Sequence, residues 1–424
     1  MDATSKNLSS GSEKHGGHRL ALWAIVAIAI ALRFALAATR APAFKPQLDE
    51  IAYQQLAQSV LAGRGLVADR NCGPLAVAGH ATSVWNCGQP LYLAGVWALA
   101  AQKPVAVFAV NALLGGLVVA LSYALGAAAF GRRAALVTAA LMAVDPWAIH
   151  YAASYYTEPA YMALLTASLV LLGASGQRRR HTLAAGALLG LSALFRSTAF
   201  YFLPLVIAAG FWRHGRAYLR QGVAFAAAAL VVVTPWVVRN VATHRALVLL
   251  DTKAGWNLYY NNHPDAEAST SLPTPPELAT LSEVGKDRWL RREGLRFVAR
   301  DPWLFIRRGF DHLGQLWSPW PWTRRPSAGR AIAALYLAAL EALALAGAIA
   351  AWRRRRELVL LYLLPVFYTA LHFVMIGAPR YRLPLDPVLA AFAGHAAVAI
   401  GSTLSPWPWS KTAERAEVDP RRMR

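Results

Sequence analysis

Charge is what this chain has little of for its size. Charged residues fill 15% of its 424 positions, where a soluble domain averages about 25%. That excludes an ordinary soluble fold, and the 56% hydrophobic content is drawn out into apolar runs of the length a bilayer requires. Acidic side chains are scarcest: 22 stand against 43 Lys and Arg, for a net charge of +21. Such a surplus can signal nucleic acid. Here the arginines cluster in short runs between apolar segments, which is the positive-inside pattern, and no nucleic-acid partner is expected. Cysteine is nearly absent. Cys72 and Cys87 share one loop, which outside the cytoplasm could keep a disulfide; two unpaired thiols are the alternative, since spacing establishes no bridge. No P-loop, GxGxxG or GxSxG motif occurs, so nucleotide-driven transport and triad hydrolysis lack support. No Cys/His/Asp spacing matches a known metal site, and His150 reads as an interfacial histidine.

What is present is organised by membrane spans. Residues 1–19 are polar, Gly/Ser-rich and basic and read as a disordered cytoplasmic tail. Residues 20–404 form one transmembrane domain, and 405–424 a second cytoplasmic tail. The run at 20–39 is too long for a signal peptide and lacks a clean cleavage site. Spans follow at 104–129, 134–152, 157–174, 222–238, 327–351, 357–377 and 384–403, with 91–101 dipping into the interface. The run at 183–212 is too long for one span and is expected to make two short helices with Arg196 near the turn. The fold class is therefore an all-α polytopic membrane protein of about ten transmembrane helices in the plasma (inner) membrane, with both termini cytoplasmic. Residues 40–103 and 239–326 are the external loops. PRYR at 379–382 breaks the short-loop charge rule by falling outside: either a span is misplaced or the charges are needed there. External guanidinium groups suit phosphate, which they bind through paired hydrogen bonds.

The external side gathers the candidate chemistry. LDEIAY opens an amphipathic helix with Asp49 and Glu50, and Tyr53 sits one turn after Asp49. A carboxylate there can take a proton from an acceptor hydroxyl or amine; the bland alternative is that Asp49 caps the helix. DPWAIHYAASYYTEPAY at 145–161 carries Tyr156 and Glu158. Glu158 at a span's start also suits the helix dipole. Arg196 lies in an apolar run and needs an anionic partner or a wet cavity. Arg239 ends a span in PWVVRN, and PRYR supplies Arg380 and Arg382. Tyr53, Tyr156, Trp256, Asn257 and Tyr381 are the aromatic and amide side chains expected in a substrate pocket. A transporter or flippase of an anionic or lipid-linked substrate is the competing class. It would be expected to show internal repeats and broken helices, and no convincing repeat is seen.

Taken in order, LDEIAY, GQPLY, DPW…YYTEPAY, GLSALFR, PWVVRN…GWNLYYNN, DPWLF…LWSP and PRYRLPLDP resemble bacterial glycosyltransferase family 39. These are membrane-embedded C-type glycosyltransferases related to protein O-mannosyltransferases and the lipid A aminoarabinose transferase. The resemblance runs from about residue 20 to 400. GQPLY carries one proline where the family often has two, NNHP replaces the more usual Gly-Asn form, and the soluble domain that follows in some relatives is not expected here. The resemblance implies an inverting transfer of sugar from a polyprenyl-phosphate donor on the extracytoplasmic side. It makes Asp49 the base, with Glu50 and Glu158 as further acidic candidates, and Arg239, Arg380 and Arg382 ligands of the donor phosphate. Arg196 joins that set from its own position. The acceptor is left open among glycolipid, polysaccharide and protein. No cofactor is called for, and a divalent metal ion is left open.

Overall fold

The computed structural model describes residues 3–69, 72–174, 178–265, 272–320 and 327–404. Among them no β-strand forms, only an isolated antiparallel bridge between Val67 and Ala81. In chain order the helices are α1 (Ala3–Arg40), α2 (Asp49–Leu61), α3 (Gly88–Leu99), α4 (Pro104–Phe130), α5 (Arg132–Val144) and α6 (Pro146–Ala152). Next come α7 (Glu158–Ala174), α8 (Arg179–Phe195), α9 (Thr198–His214), α10 (Leu219–His244), α11 (Ala254–Asn262) and α12 (Glu283–Arg300). The last are α13 (Pro302–Leu316), α14 (Ala328–Ala350), α15 (Val359–Val374), α16 (Pro379–Arg382) and α17 (Asp386–Leu404).

By length and composition, five helical stretches among the described residues can cross a membrane: Gly17–Ala43, Pro104–Phe130, Thr198–His244, Ala328–Ala350 and Pro379–Thr403. The bent pair α5–α6 makes a sixth, and Glu158–Gly173 and Val359–Val374 are shorter apolar helices. The chain is thus an all-α, multi-pass membrane protein, while the expected count of about ten is not reached on these criteria. The run at 183–212 divides as expected, with Arg196 at the break between α8 and α9. α1 begins at Ala3, inside the stretch expected to be an unstructured tail. No proline interrupts residues 3–40, so the helix of the apolar run continues backwards. The tail at 405–424 lies outside the described residues.

Helices in lipid gain little from burying apolar surface against one another, so close packing of small residues carries the association. Gly186 and Gly190 of α8 show it: an added Cβ would meet the carbonyl oxygens of Phe225 and Ala229 on α10 at 2.2 and 2.5 Å. The most enclosed stretch is Pro379–Thr403, with 72% of its apolar window buried against 22% for Ala328–Ala350. PRYR therefore opens the central helix rather than a peripheral one.

The span expected at 134–152 is broken at Asp145–Pro146 and bent by 51°. A break between helices frees backbone groups that need other partners. Arg33 of α1 donates to Met142 O and Ala143 O, both at 3.1 Å, carbonyls at the end of α5. Asp145 accepts from Trp147 N and Ala148 N at 2.9 and 3.0 Å, capping α6. Arg33 and Asp145 are both buried, and their polarity is used by the fold itself.

Candidate active site

The site begins where α2 begins. Leu48, just ahead of Asp49, has φ +51°, a backbone region that costs a non-glycine residue about 1–3 kcal/mol and is tolerated where the surroundings enforce it. Asp49 is the first helical residue, and its carboxylate caps nothing. Oδ1 accepts from Lys253 Nζ at 3.0 Å and from Trp85 Nε1 at 3.4 Å. Oδ2 accepts from Arg380 Nη2 at 3.0 Å. Each oxygen thus has its own cation, brought in from a distant part of the chain. Burial opposes the charge, but Lys253 and Arg380 outweigh it and hold the Asp49 carboxyl well below the usual carboxylate range.

The guanidinium of Arg380 lies 4.7 Å from the ring centroid of Tyr156 and 4.8 Å from that of Tyr381, an arrangement that attracts a cation to the ring faces. Arg196 Nη1 binds Glu158 Oε1 at 2.9 Å, and Glu158 is 1% exposed. The Arg196 guanidinium stands 4.9 Å from the Tyr381 ring. These groups line one cavity of about 360 Å³, whose wall also includes Tyr53, Trp85, Asn86, Ser197, Asp251, Asn257 and His372. Its charged lining is Asp49, Glu158 and Asp251 against Arg196, Lys253 and Arg380. Burial lifts the Asp251 carboxyl above the ordinary range. Such a cavity suits an anion carrying polar groups.

Known proteins share this architecture. A family model described as dolichyl-phosphate-mannose-protein mannosyltransferase matches residues 89–238. The archaeal oligosaccharyltransferase AglB from Archaeoglobus fulgidus, solved with an inhibitory peptide and a dolichol-phosphate, superposes with a TM-score of 0.59 at 13% identity, over 96% of this chain and 52% of that one. ArnT from Cupriavidus metallidurans, solved bound to undecaprenyl phosphate, superposes with a TM-score of 0.54 at 17% identity, over 91% of this chain and 61% of that one. The chain shares the fold of these two membrane proteins. This chain spans only about half of AglB and three-fifths of ArnT. A sequence search of curated proteins returns no match.

Of the residues expected from sequence, Asp49, Glu158, Arg196, Arg380, Tyr53, Tyr156, Asn257 and Tyr381 meet in the cavity; the others do not line it. Glu50 turns away: Oε2 accepts from Gln47 N at 3.0 Å and Oε1 from Tyr155 N at 2.8 Å. It closes the start of α2 and pins the 153–157 turn, and burial lifts its carboxyl despite the two amides. Trp256 stacks on Tyr260 with centroids 3.8 Å apart, one helical turn on; its neighbour Asn257 takes the cavity side. Arg382 is 1% exposed and pairs with Glu341 and Asp386 inside the bundle. Arg239 donates to Thr82 O, Ser83 Oγ and Leu66 O at 2.9, 2.8 and 3.3 Å, so its guanidinium is taken up by the 66–83 loop. Cys72 and Cys87 are not bridged. Cys72 Sγ donates to Gln55 Oε1 at 3.4 Å, and both thiols pack into the main apolar core. Burial pushes them up to about 11 and 12.

Lys253, Asp251, His372 and Trp85 escaped the sequence reading. Lys253 left the clearest signal: it is one of seven lysines among 43 basic residues, two positions ahead of GWNLYYNN. His372 stacks on Tyr381 with centroids 5.1 Å apart; nothing in its apolar surroundings in sequence marks it. Among the described residues no group of three or more His, Cys, Asp and Glu side chains is arranged to hold a metal ion.

Proposed function

We propose that the protein transfers a sugar from a polyprenyl-phosphate donor to an acceptor at the extracytoplasmic face of the plasma (inner) membrane. The observation that carries the reading is the double ion pair on Asp49: one carboxylate flanked by two cations from Lys253 and Arg380, at a cavity wall. The donor phosphate takes Lys253 and Arg380, with Arg196 beside them. That loosens their hold on Asp49 and raises its basicity when the donor is in place. Asp49 then removes the acceptor's proton as the acceptor atom bonds to the anomeric carbon. The bond from that carbon to the phosphate oxygen breaks, and its electron pair leaves with the polyprenyl phosphate, whose added charge the cations stabilise. One displacement inverts the anomeric centre. Glu158, held by Arg196, orients substrate hydroxyls.

The polarity follows from the basic loops, which put both termini in the cytoplasm. A donor on a lipid is what an enzyme facing away from cytoplasmic nucleotide sugars requires. A transporter or flippase is not favoured: the cavity places a carboxylate held by two cations, Asp49, beside a second ion pair, Arg196–Glu158, which suits proton removal next to a bound phosphate. The class of acceptor stays open among glycolipid, polysaccharide and protein. The test is to incubate the protein in nanodiscs with a panel of polyprenyl-phospho-sugars and candidate acceptors and follow release of polyprenyl monophosphate. Release that needs the acceptor, with the sugar recovered on it, is expected. Movement of intact donor between leaflets without release would support the flippase instead.

A further inference from the structure

Arg239 was expected at the phosphate and lies instead in a buried polar cluster with no part in the cavity wall. At the centre of that cluster is Glu283, in the first turn of α12 and 4% exposed. Its carboxylate gathers three donors from two distant segments. Thr82 Oγ1 donates to Oε2 at 2.6 Å, Ser83 N to Oε1 at 2.8 Å, and Thr252 Oγ1 to Oε1 at 2.7 Å. Thr252 N also donates to Ser83 O at 3.1 Å, joining the two segments directly. An outer ring steadies the arrangement. Arg239 grips Thr82 O and Ser83 Oγ, Ser83 Oγ donates to Asn240 Oδ1 at 2.7 Å, and His244 Nε2 stands 3.7 Å from Glu283 Oε1. Lys286, one turn along α12, is turned to Pro74 O at 2.9 Å.

Each anchored segment leads straight into the cavity wall. Trp85 comes two positions after Ser83, and Lys253 one after Thr252, and both reach Asp49 Oδ1. The Lys253 ammonium also lies 5.5 Å from the Trp85 ring centroid. We propose that Glu283 is a positioning residue for the donor phosphate: from outside the cavity it fixes the two segments that present Trp85 and Lys253 to Asp49. An apolar side chain would fill the same space without setting the register of the two segments. An ionised acceptor makes short, directional bonds, and a flexible lysine is only as well placed as the backbone that carries it. Small displacements at a reacting centre are costly. The residues of PWVVRN thus serve the site by bracing this anchor.

The proposal rests on the phosphate reading above, so its test separates the two. Glu283→Gln keeps the volume and removes the charge; Thr252→Val removes one arm only. Hydrogen exchange read by mass spectrometry should show loss of protection in Glu283→Gln confined to residues 82–86 and 250–256, with a smaller loss in Thr252→Val. Binding of a polyprenyl monophosphate to the protein in nanodiscs should weaken by about ten-fold in Glu283→Gln, in the range seen for residues sharing a network. The double variant with Lys253→Met should bind no more weakly than Lys253→Met alone. A Glu283→Gln effect that persists in full on top of Lys253→Met would overturn the proposal. So would unchanged protection at both segments. Wild-type binding in both Lys253→Met and Arg380→Ala would overturn the phosphate reading itself, and the donor half of this proposal with it.

Discussion

Arg380 and Arg382 leave the same short helix in different directions and build two ionic clusters of opposite character. Residues two apart on a helix do not share a face. Arg380 turns to the cavity, where it meets Asp49; Arg380, Asp49 and Lys253 keep side-chain exposures of 18%, 20% and 29%. Arg382 turns into the bundle, 1% exposed, between Glu341 and the fully buried Asp386. The cavity cluster is assembled from three remote segments and opens on space a ligand can fill. The bundle cluster joins α14, α16 and α17, with Arg382 and Asp386 sealed inside and Glu341 reaching its edge at 20% exposure. Charges that retain contact with a cavity can exchange partners during a reaction, while fully desolvated ones hold helices in place.

The comparison breaks first at Arg382. Removing one member of a buried pair strands the others and costs about 3–5 kcal/mol. Arg382→Ala is therefore expected to lose most of its folded yield, read by monodisperse elution and thermal midpoint in detergent. Arg380→Ala should elute and melt close to wild type, yet bind polyprenyl monophosphate more weakly by about 1.5–3 kcal/mol, or roughly 10–100-fold. Equal thermal losses in the two variants would erase the distinction.

The pH profile sharpens it further. The Asp49 carboxyl is depressed by its two cations, so its charged form contributes stability above the unfolded-state value of about 3.9, and that contribution is lost only as pH falls through the lower folded value. Wild type should show no acid limb from Asp49 above about pH 5. Lys253→Met removes one cation and favours the neutral carboxyl, moving the acid limb of kcat/KM up by about one unit or more. A limb that stays put would mean Lys253 does not set the charge of Asp49. The smallest effect concerns the two cysteines. With both thiols unbridged, reductant should leave the thermal midpoint unchanged, whereas breaking a disulfide would cost about 2–4 kcal/mol.

Much of this was legible in the chain. Long apolar runs gave the helical membrane class, and the conflict of PRYR with the short-loop charge rule pointed to the arginine that does reach the cavity. Arg196 was marked by the expense of placing charge in an apolar run, a cost that holds in any fold, and Asp49 and Glu158 were marked as scarce acids beside membrane spans. What could not be read was direction. Arg382 and Arg380 share one motif, Trp256 and Asn257 are adjacent, and Glu50 comes directly after Asp49; in each pair the helical turn sends one side chain to the cavity and the other into the protein. Arg239 failed for another reason: its partners Thr82 and Ser83 lie more than 150 positions away, and no local signal announces them. Lys253 was hidden because its single charge sits in a loop where a lysine is unremarkable until Asp49 is seen beside it.

The central claim is that the Asp49 carboxylate is the base and that its two cations belong to the donor phosphate once the donor is bound. Asp49→Asn tests both at once. The substitution keeps the size of the side chain and disturbs no cap, because Asp49 caps nothing. Measured in nanodiscs with the polyprenyl-phospho-sugar that supports wild-type turnover, transfer should fall by roughly 10²–10⁴-fold. Binding of polyprenyl monophosphate should be as tight as in wild type or tighter, since a competing anion has been removed from Lys253 and Arg380. Near-wild-type turnover in Asp49→Asn would contradict the account and move the search for the base to Glu158.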